Sequence, residues 1–215
     1  MSTLDVTSPY DGKIVGKVSF NSTQEVKEAI NLAHETFQNS EITKYKRVEI
    51  LEKVVKIMSS QIEELTILCA SEGGKPYIDS KVEIQRAING VKLAIEHLGA
   101  YEGKEVAMGH TLSSANRMAY TFKEPIGVVA AISAFNHPFN LAVHQVVPAL
   151  AVGCSVIIKP ASATPMSAIK LIEILKEAGL PNGWAQAVVC SKEDAQLLAS
   201  SSKIDLLTFI GSGKV

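Results

Sequence analysis

Apolar residues recur at helical spacing through the first hundred residues of the chain. Ser22-Thr23-Gln24-Glu25 has the pattern of a capping box, and the apolar positions after it lie three or four residues apart. Similar patterns predict helices over residues 45–58, 62–70 and 80–101, after a β-hairpin that turns at Asp11-Gly12. The apolar members predicted for the last of these helices are Val82, Ala87, Val91, Ala94, Ile95 and Leu98.

The pattern changes after Gly109. Residues 117–123 alternate like a half-exposed strand, and residues 127–133 form a continuous apolar run that is typical of a strand buried on both faces. Alternating helices and strands follow, and Thr164 is predicted to cap a helix that starts at Pro165. The order indicates an α/β fold with a doubly wound parallel sheet, preceded by a helical region and a short β arm. The predicted helices cover residues 141–152, 165–178 and 192–200, and the strands cover 155–159, 185–190 and 205–210.

Composition and charge exclude several function classes. A net charge of −1 gives no broad electrostatic basis for binding nucleic acid or an anionic membrane. No apolar run is long enough to span a bilayer, and the N-terminus lacks the pattern of a secretory signal. The three cysteines form no CxxC pair, which favours reduced thiols in the cytoplasm. We therefore expect a cytoplasmic protein with neither nucleic acid nor a membrane as partner.

Polar residues follow the predicted parallel strands, at the edge of the sheet where such folds bind ligands. Asn136 is either a donor to a developing oxyanion or a loop residue that satisfies nearby backbone groups. Lys159 either reaches ribose hydroxyls or phosphates in the crevice or extends along the surface. Gly211-Ser212-Gly213 is either a cradle for a pyrophosphate or an ordinary turn.

The histidines and cysteines give weaker signals. His137 and His144 are seven residues apart with no third ligand at suitable spacing, so we expect no metal site. Cys154 is predicted to be a small buried residue before a strand. Cys190 ends a predicted strand but has no activating base nearby in sequence, which argues against a nucleophile.

Several motifs follow one another in a fixed order along the chain. They are Glu124-Pro125-Ile126-Gly127-Val128-Val129, Phe135-Asn136-His137-Pro138-Phe139-Asn140, residues 147–153, Val156-Ile157-Ile158-Lys159-Pro160, Thr164-Pro165, Glu177-Ala178-Gly179-Leu180-Pro181 and Phe209-Ile210-Gly211-Ser212. Together they resemble the N-terminal part of the NAD(P)-dependent aldehyde dehydrogenase superfamily, and Gly73-Gly74-Lys75-Pro76 is similar to an earlier landmark of that family. The histidine in the second motif suggests members that act on small polar aldehydes such as lactaldehyde or phosphonoacetaldehyde.

The resemblance implies NAD or NADP as cofactor, an aldehyde as substrate and a homo-oligomer, dimeric or tetrameric. It divides the chain into a helical part of the cofactor domain (1–103), an oligomerisation arm (104–124) and an incomplete Rossmann-like core (125–215). Many NAD-preferring relatives have Glu where Ser162 stands, so we hypothesise that NADP is accepted or preferred. The implied roles are Asn136 as oxyanion donor, Phe135 beside the cofactor, Lys159 on the adenosine ribose, Phe209, Gly211 and Ser212 at the pyrophosphate turn, and Val215 near the adenine.

In the family mechanism a cysteine thiolate attacks the aldehyde, hydride passes to nicotinamide, and water releases the acid. The family's catalytic cysteine and glutamate lie beyond the glycine-rich turn, so the resemblance predicts a fragment of the enzyme that is inactive alone. A non-catalytic dinucleotide-binding or assembly subunit, from a split or decayed gene, is the alternative. An unrelated doubly wound nucleotide-binding module is a third reading, which the number of ordered matches disfavours.

Overall fold

The computed structural model describes residues 2–213. It opens with the predicted hairpin, in which β1 (Ser2–Thr7) pairs antiparallel with β2 (Ile14–Phe20). Gly12 stands in the turn with φ +70°, a conformation that glycine adopts without steric cost.

Four helices follow the hairpin, as predicted. The capping box that starts the first of them is complete: the Glu25 backbone N–H donates to Ser22 Oγ, and the Ser22 N–H donates to Glu25 Oε2 at 2.8 Å. Within residues 2–213 no helix is long and apolar enough to cross a membrane. The helices are α1 (Thr23–Asn39), α2 (Lys44–Ser60), α3 (Ile62–Gly73) and α4 (Tyr77–Gly99).

The buried face of α4 differs from its prediction at one position. Val82 is 38% exposed, so the prediction that places it on the apolar face is wrong, whereas the neighbouring carboxylate Glu83 is 1% exposed. The helix turns Ser80, Glu83 and Ala87 inward together, because residues three and four apart share a face. A carboxylate therefore occupies a core position of α4.

The arm is shorter than its sequence pattern suggests. β3 (Glu105–Val106) and β4 (Ala119–Tyr120) form a two-residue antiparallel ladder, with a 3₁₀ turn over Leu112–Ser114 between them. One further backbone bond, from Thr121 N–H to the Lys104 carbonyl at 2.9 Å, extends the pairing. The strand predicted over 117–123 is thus limited by the length of its partner.

The second half of the chain forms a four-stranded sheet in the order β7-β6-β5-β8, with every neighbouring pair parallel. The predicted α/β fold with a parallel sheet is confirmed. Its elements are β5 (Val128–Ile132), α5 (Pro138–Val152), β6 (Ser155–Lys159), α6 (Met166–Glu177), β7 (Ala185–Ala187), α7 (Lys192–Ser200) and β8 (Leu206–Phe209).

Two boundaries depart from the prediction for identifiable reasons. α5 begins at Pro138 rather than 141. Proline suits the first helical turn because the N–H groups of that turn make no bond within the helix, so a residue without an N–H loses nothing there. β7 ends at Ala187 rather than 190, because the backbone of Val189 pairs instead with Asn21, its N–H donating to Asn21 Oδ1 at 2.9 Å.

Helices cover both faces of the sheet. Val128, Ala130 and Ile157 pack with α1 and α7, while Val129 and Ala131 on alternate positions belong to the larger core with α2 through α6. This alternation explains why β5 reads as a continuous apolar run, since both of its faces are buried. The sheet and the first four helices therefore share their cores.

Candidate functional site

A cleft of about 610 Å³ lies at the carboxyl ends of β5, β6 and β8. The chain proceeds from β5 to β6 and β7 on one side and returns to place β8 on the other, so the strand order reverses at β5. Such a switch point leaves a crevice where open α/β sheets bind ligands. The predicted site residues that line it are Phe135, Asn136, Lys159, Ser162, Phe209, Gly211 and Ser212.

Val215, the remaining predicted site residue, lies outside the described residues. The structure thus brings together every described residue that the sequence singled out for a cofactor or oxyanion role. Their roles stay predictions, since a shared cleft fixes proximity and not chemistry.

The loop after β5 presents Phe135 and Asn136 to the cleft, and both are exposed. Its start is tied to β6 by a bond from Ser133 N–H to the Lys159 carbonyl at 3.1 Å. Its middle is tied to the next loop, where Thr164 Oγ1 donates to the Phe135 carbonyl at 3.4 Å. No hydrogen bond within residues 2–213 engages the Asn136 side chain, so its amide is available to a ligand.

The prediction that Thr164 caps the following helix is wrong. The Thr164 hydroxyl turns to the Phe135 carbonyl, and α6 has no cap bond from its own N-terminal residue. The buried Glu72 of α3 replaces it, accepting from the N–H groups of Met166 and Ser167 at 2.8 and 2.9 Å. Burial raises the pKa of this carboxyl above its ordinary value.

Two cations line the cleft. Lys159 follows the apolar core of β6, and partial burial lowers the pKa of its ammonium below the ordinary value. Lys192, the first residue of α7, lines the same cleft and lowers that pKa further. Sequence reasoning missed Lys192, although its position directly after the third strand–loop junction was the available signal.

The glycine-rich turn after β8 is closely packed. A Cβ atom on Gly211 would stand 2.7 Å from Cζ of Phe209, so any side chain at Gly211 would displace that ring. The Phe209 ring itself is 43% exposed and forms a wall of the cleft. The turn therefore brings bare backbone next to the edge of an aromatic ring.

The three cysteines are buried and do not line the cleft. Cys69, Cys154 and Cys190 are each at most 1% exposed, which confirms the prediction for Cys154. Burial raises the pKa of Cys69 to about 12 and raises that of Cys190 as well, so neither thiol is a reactive thiolate near neutral pH.

The hydroxyl of Ser191 caps α7 by accepting from Asp194 N–H at 3.0 Å.

No group of three or more His, Cys, Asp and Glu side chains among residues 2–213 is arranged to hold a metal ion. The residues of the cleft can instead bind a ligand and polarise its polar groups. An amide donor, two ammonium groups, aromatic walls and a turn without Cβ suit an elongated ligand with hydroxyl and anionic groups. These features fit a dinucleotide.

Comparison with known proteins agrees with this geometry. The model of the aldehyde dehydrogenase family matches residues 1–215. A 3-sulfolactaldehyde dehydrogenase from Priestia megaterium is 36% identical over 213 residues, and the match covers 99% of this chain and 44% of that protein. The chain thus spans less than half the length of this curated relative.

Two solved structures have the same fold over the matched part. Aldehyde dehydrogenase 21 from Physcomitrella patens, in complex with the reaction product succinate, gives a TM-score of 0.95 at 34% identity, over 99% of this chain and 45% of that one. Glyceraldehyde-3-phosphate dehydrogenase GapN from Methanocaldococcus jannaschii, complexed with NADP, gives 0.91 at 30% identity, over 98% and 46%. The family match over the whole sequence shows that this chain belongs to the aldehyde dehydrogenase family.

Proposed function

We propose that residues 1–215 form the cofactor-binding half of an enzyme that oxidises an aldehyde to a carboxylic acid with NAD or NADP. The observation that carries the proposal is the cleft at the switch point, where the predicted residues from three separate strand ends line one cavity. GapN, a structural neighbour complexed with NADP, supports the choice of cofactor.

In this proposal Asn136 donates its amide N–H to the oxygen that gains charge when a thiolate adds to the aldehyde. A donor of this kind acts on charge that develops in the transition state, so it lowers the barrier and leaves substrate binding largely unchanged. Asn136 suits the role because its amide is exposed in the cleft and has no hydrogen-bond partner within residues 2–213.

The remaining cleft residues bind the dinucleotide, which accepts the hydride when bound. Lys159 and Ser162 bind the adenosine ribose, and the backbone beside Gly211 and Ser212 holds the pyrophosphate. Phe135 and Phe209 supply apolar walls that exclude water. Ser162 leaves room and no negative charge at the ribose, so NADP is accepted.

The nucleophile lies outside these residues in the proposed enzyme. Cys69, Cys154 and Cys190 are buried and do not line the cleft, so in this proposal residues 1–215 alone do not oxidise aldehydes. The relative that acts on 3-sulfolactaldehyde supports a small polar aldehyde as substrate. A non-catalytic dinucleotide-binding subunit is the competing proposal, and it predicts no turnover in any protein that contains this sequence.

The substitution Asn136→Ala in the whole protein tests the proposed chemistry. We expect kcat with NADP and glycolaldehyde to fall about 100- to 1000-fold, because one preformed oxyanion donor is lost. The Kd for NADP, measured by fluorescence titration, should change less than about twofold, because Asn136 does not bind the dinucleotide.

The matched control is Asn31→Ala, an amide on the exposed side of α1 that pairs with Lys203. It should leave kcat unchanged. An Asn136→Ala protein with normal kcat would contradict the oxyanion role, and a whole protein without aldehyde-dependent reduction of NAD or NADP would favour the non-catalytic subunit.

A further inference from the structure

The first turn of α5 is held by a carboxylate from another helix. Glu83 of α4 directs Oε1 to the N–H groups of Phe139 and Asn140, at 2.9 and 3.1 Å. These groups have no partner within an α-helix, because the first four N–H groups precede any available carbonyl. The Glu83 side chain has no exposed surface, so these bonds are shielded from water.

α5 has no cap of its own. Its N-cap residue His137 makes no side-chain cap bond, and Pro138 at the first position has no N–H to offer. A negative charge at a helix N-terminus is favoured by the helix dipole, more so where solvent is excluded. Glu83 therefore supplies both the hydrogen bonds and the charge that fix where α5 starts.

The second oxygen of Glu83 fixes the residue next to Asn136. Lys75 donates its ammonium to Glu83 Oε2 and also lies 3.1 Å from His137 Nδ1. The same Nδ1 lies 3.3 Å from Glu83 Oε2, so the tautomer of His137 decides whether Nδ1 donates to the carboxylate or accepts from the ammonium. Lys75 and Glu83 thereby hold the His137 ring in one orientation.

Asn136 is thus bracketed on both sides. The Phe135 carbonyl is bound by Thr164, and the N–H groups three and four residues after Asn136 are bound by Glu83. Asn136 itself has no bond that orients it within residues 2–213. Its backbone position in the cleft is therefore set by its neighbours, and on the C-terminal side by the Glu83–Lys75–His137 cluster.

We propose that Glu83 is a positioning residue for Asn136, which acts by fixing the start of α5 and the ring of His137. The proposal rests on the oxyanion role of Asn136 given above. Glu83 lies beneath the loop and does not line the cleft, so it touches neither dinucleotide nor aldehyde. Displacing a preorganised donor by a fraction of an ångström reduces the stabilisation of the transition state more than it reduces the binding of the substrate in its ground state.

Glu83→Gln in the whole protein tests this, because it keeps the shape of the side chain and removes one acceptor and the charge. Glutamine cannot serve both the α5 N–H groups and Lys75. With NADP and glycolaldehyde we expect kcat to fall about 10- to 100-fold, with the Kd for NADP changed less than about twofold. Amide hydrogen exchange of Phe139 and Asn140 should accelerate.

The decisive comparison is the double variant Glu83→Gln/Asn136→Ala. If Glu83 acts through Asn136, the double variant has the kcat of Asn136→Ala alone, because the donor that Glu83 positions is already absent. Multiplied losses, or a normal kcat in Glu83→Gln, would overturn the positioning role. A normal kcat in Asn136→Ala would instead refute the oxyanion role, so the two failures are distinguishable.

Two further variants complete the test, one as a control and one as a replacement. Glu49→Gln removes a carboxylate that binds two lysines on the exposed side of α2, and it should leave kcat unchanged. If Glu83→Gln does not fold, Lys75→Gln replaces it, since Lys75 is partly exposed and leaves the α5 bonds intact. Lys75→Gln should lower kcat with the same non-additivity, and an additive loss would contradict the proposal.

Discussion

Lys159 stands at the end of β6 with its ammonium half withdrawn from water, and burial lowers its pKa below 10.5. Between the lowered folded-state pKa and 10.5, the unfolded chain binds more protons than the folded one, so stability rises with pH in that interval. Below it, the charged Lys159 reduces stability. A ligand anion beside the ammonium would offset that loss, which is consistent with a binding role.

Ser162 is exposed at the rim of the same cleft, and a change of charge there should alter the choice of dinucleotide. Ser162→Glu in the whole protein should raise the Kd for NADP about 10-fold or more, because a carboxylate repels the 2′-phosphate. The Kd for NAD should stay the same or fall, because the carboxylate accepts from the ribose hydroxyls. Isothermal titration with both dinucleotides gives the two constants.

Ser162→Gln is the matched control, since it has the size of glutamate without its charge. It should change the ratio of the two Kd values much less than Ser162→Glu does. A wild-type protein with a strong preference for NAD would already contradict the hypothesis that the serine admits NADP.

At the level of elements, the N-terminal N–H groups of α5 and α6 are both bound by side chains of other helices. Each follows a loop of the cleft, each lacks a side-chain cap of its own, and each is capped by a buried carboxylate from the preceding helical region. Glu83 of α4 serves α5, and Glu72 of α3 serves α6. The N-terminal helices therefore determine the geometry of two loops that line the cleft.

Glu72→Gln tests the energetic consequence of burying one of these carboxylates. Burial raises the pKa of Glu72 above 4.5, so the folded state binds its proton more tightly and the contribution of Glu72 to stability falls as pH rises through the raised pKa. Glutamine does not ionise. The stability of the variant relative to wild type should therefore rise between pH 4 and pH 7, by about 1.4 kcal/mol for a tenfold difference in acidity.

Urea unfolding at the two pH values measures the effect. Glu49→Gln is again the control, with the opposite sign, because Lys53 and Lys46 lower the pKa of Glu49 and its contribution is lost as pH falls. Glu49 is only partly buried, with 32% of its side chain exposed, so that change should be small. A pH-independent difference for Glu72→Gln would show that its carboxylate is not destabilised by burial.

The element order could be predicted from the sequence because it depends on local periodicity and on glycine and proline at the boundaries. β6 and α7 match their predicted limits residue for residue. The capping box of α1 was predicted as well, but the caps of α5 and α6 could not be, because Glu72, for example, acts 94 and 95 residues away from the groups it binds. The available signal was a carboxylate on the apolar side of a helix, as at Glu83, beside the exposed Val82.

The site was predictable to the extent that parallel strands gather their carboxyl ends. That rule, with the family resemblance, singled out Asn136, Lys159 and Gly211, and the structure places all three at one cleft. Lys192 and Glu83 were missed, because the first enters the cleft from a helix start and the second acts from beneath it.

At the scale of the whole molecule, the arm extends apolar side chains into solvent. Tyr120 and Phe122 are 64% and 75% exposed, with ring centroids 5.1 Å apart in an edge-to-face pair. This aromatic pair lies at the end of a two-residue ladder, and the arm has little buried core of its own. Large exposed apolar patches mark interaction sites, protein–protein contacts among them.

We propose that the arm holds the whole protein in the homo-oligomer that the family resemblance implies, so the double variant Tyr120→Ser/Phe122→Ser should form a smaller species. Removing two aromatic rings takes away the buried area that would hold the arm against a second copy. Sedimentation velocity gives the mass of each species. Tyr10→Ser, at a 90% exposed tyrosine in the N-terminal turn, is the control and should leave the mass unchanged; an unchanged mass in the double variant would contradict the arm as the contact.

The remote caps also bear on the order in which the chain folds. Glu72 and Glu83 are synthesised before the helices that they cap, since they precede Met166 by 94 residues and Phe139 by 56. During synthesis on the ribosome, α3 and α4 can be folded when α5 and α6 emerge. The carboxylate that caps each new helix is then already present. In refolding from denaturant the same contacts require long loops to close first, which slows their formation. We therefore expect the loops of the cleft to be among the last parts of the chain to become ordered in the test tube, and to be ordered sooner during synthesis.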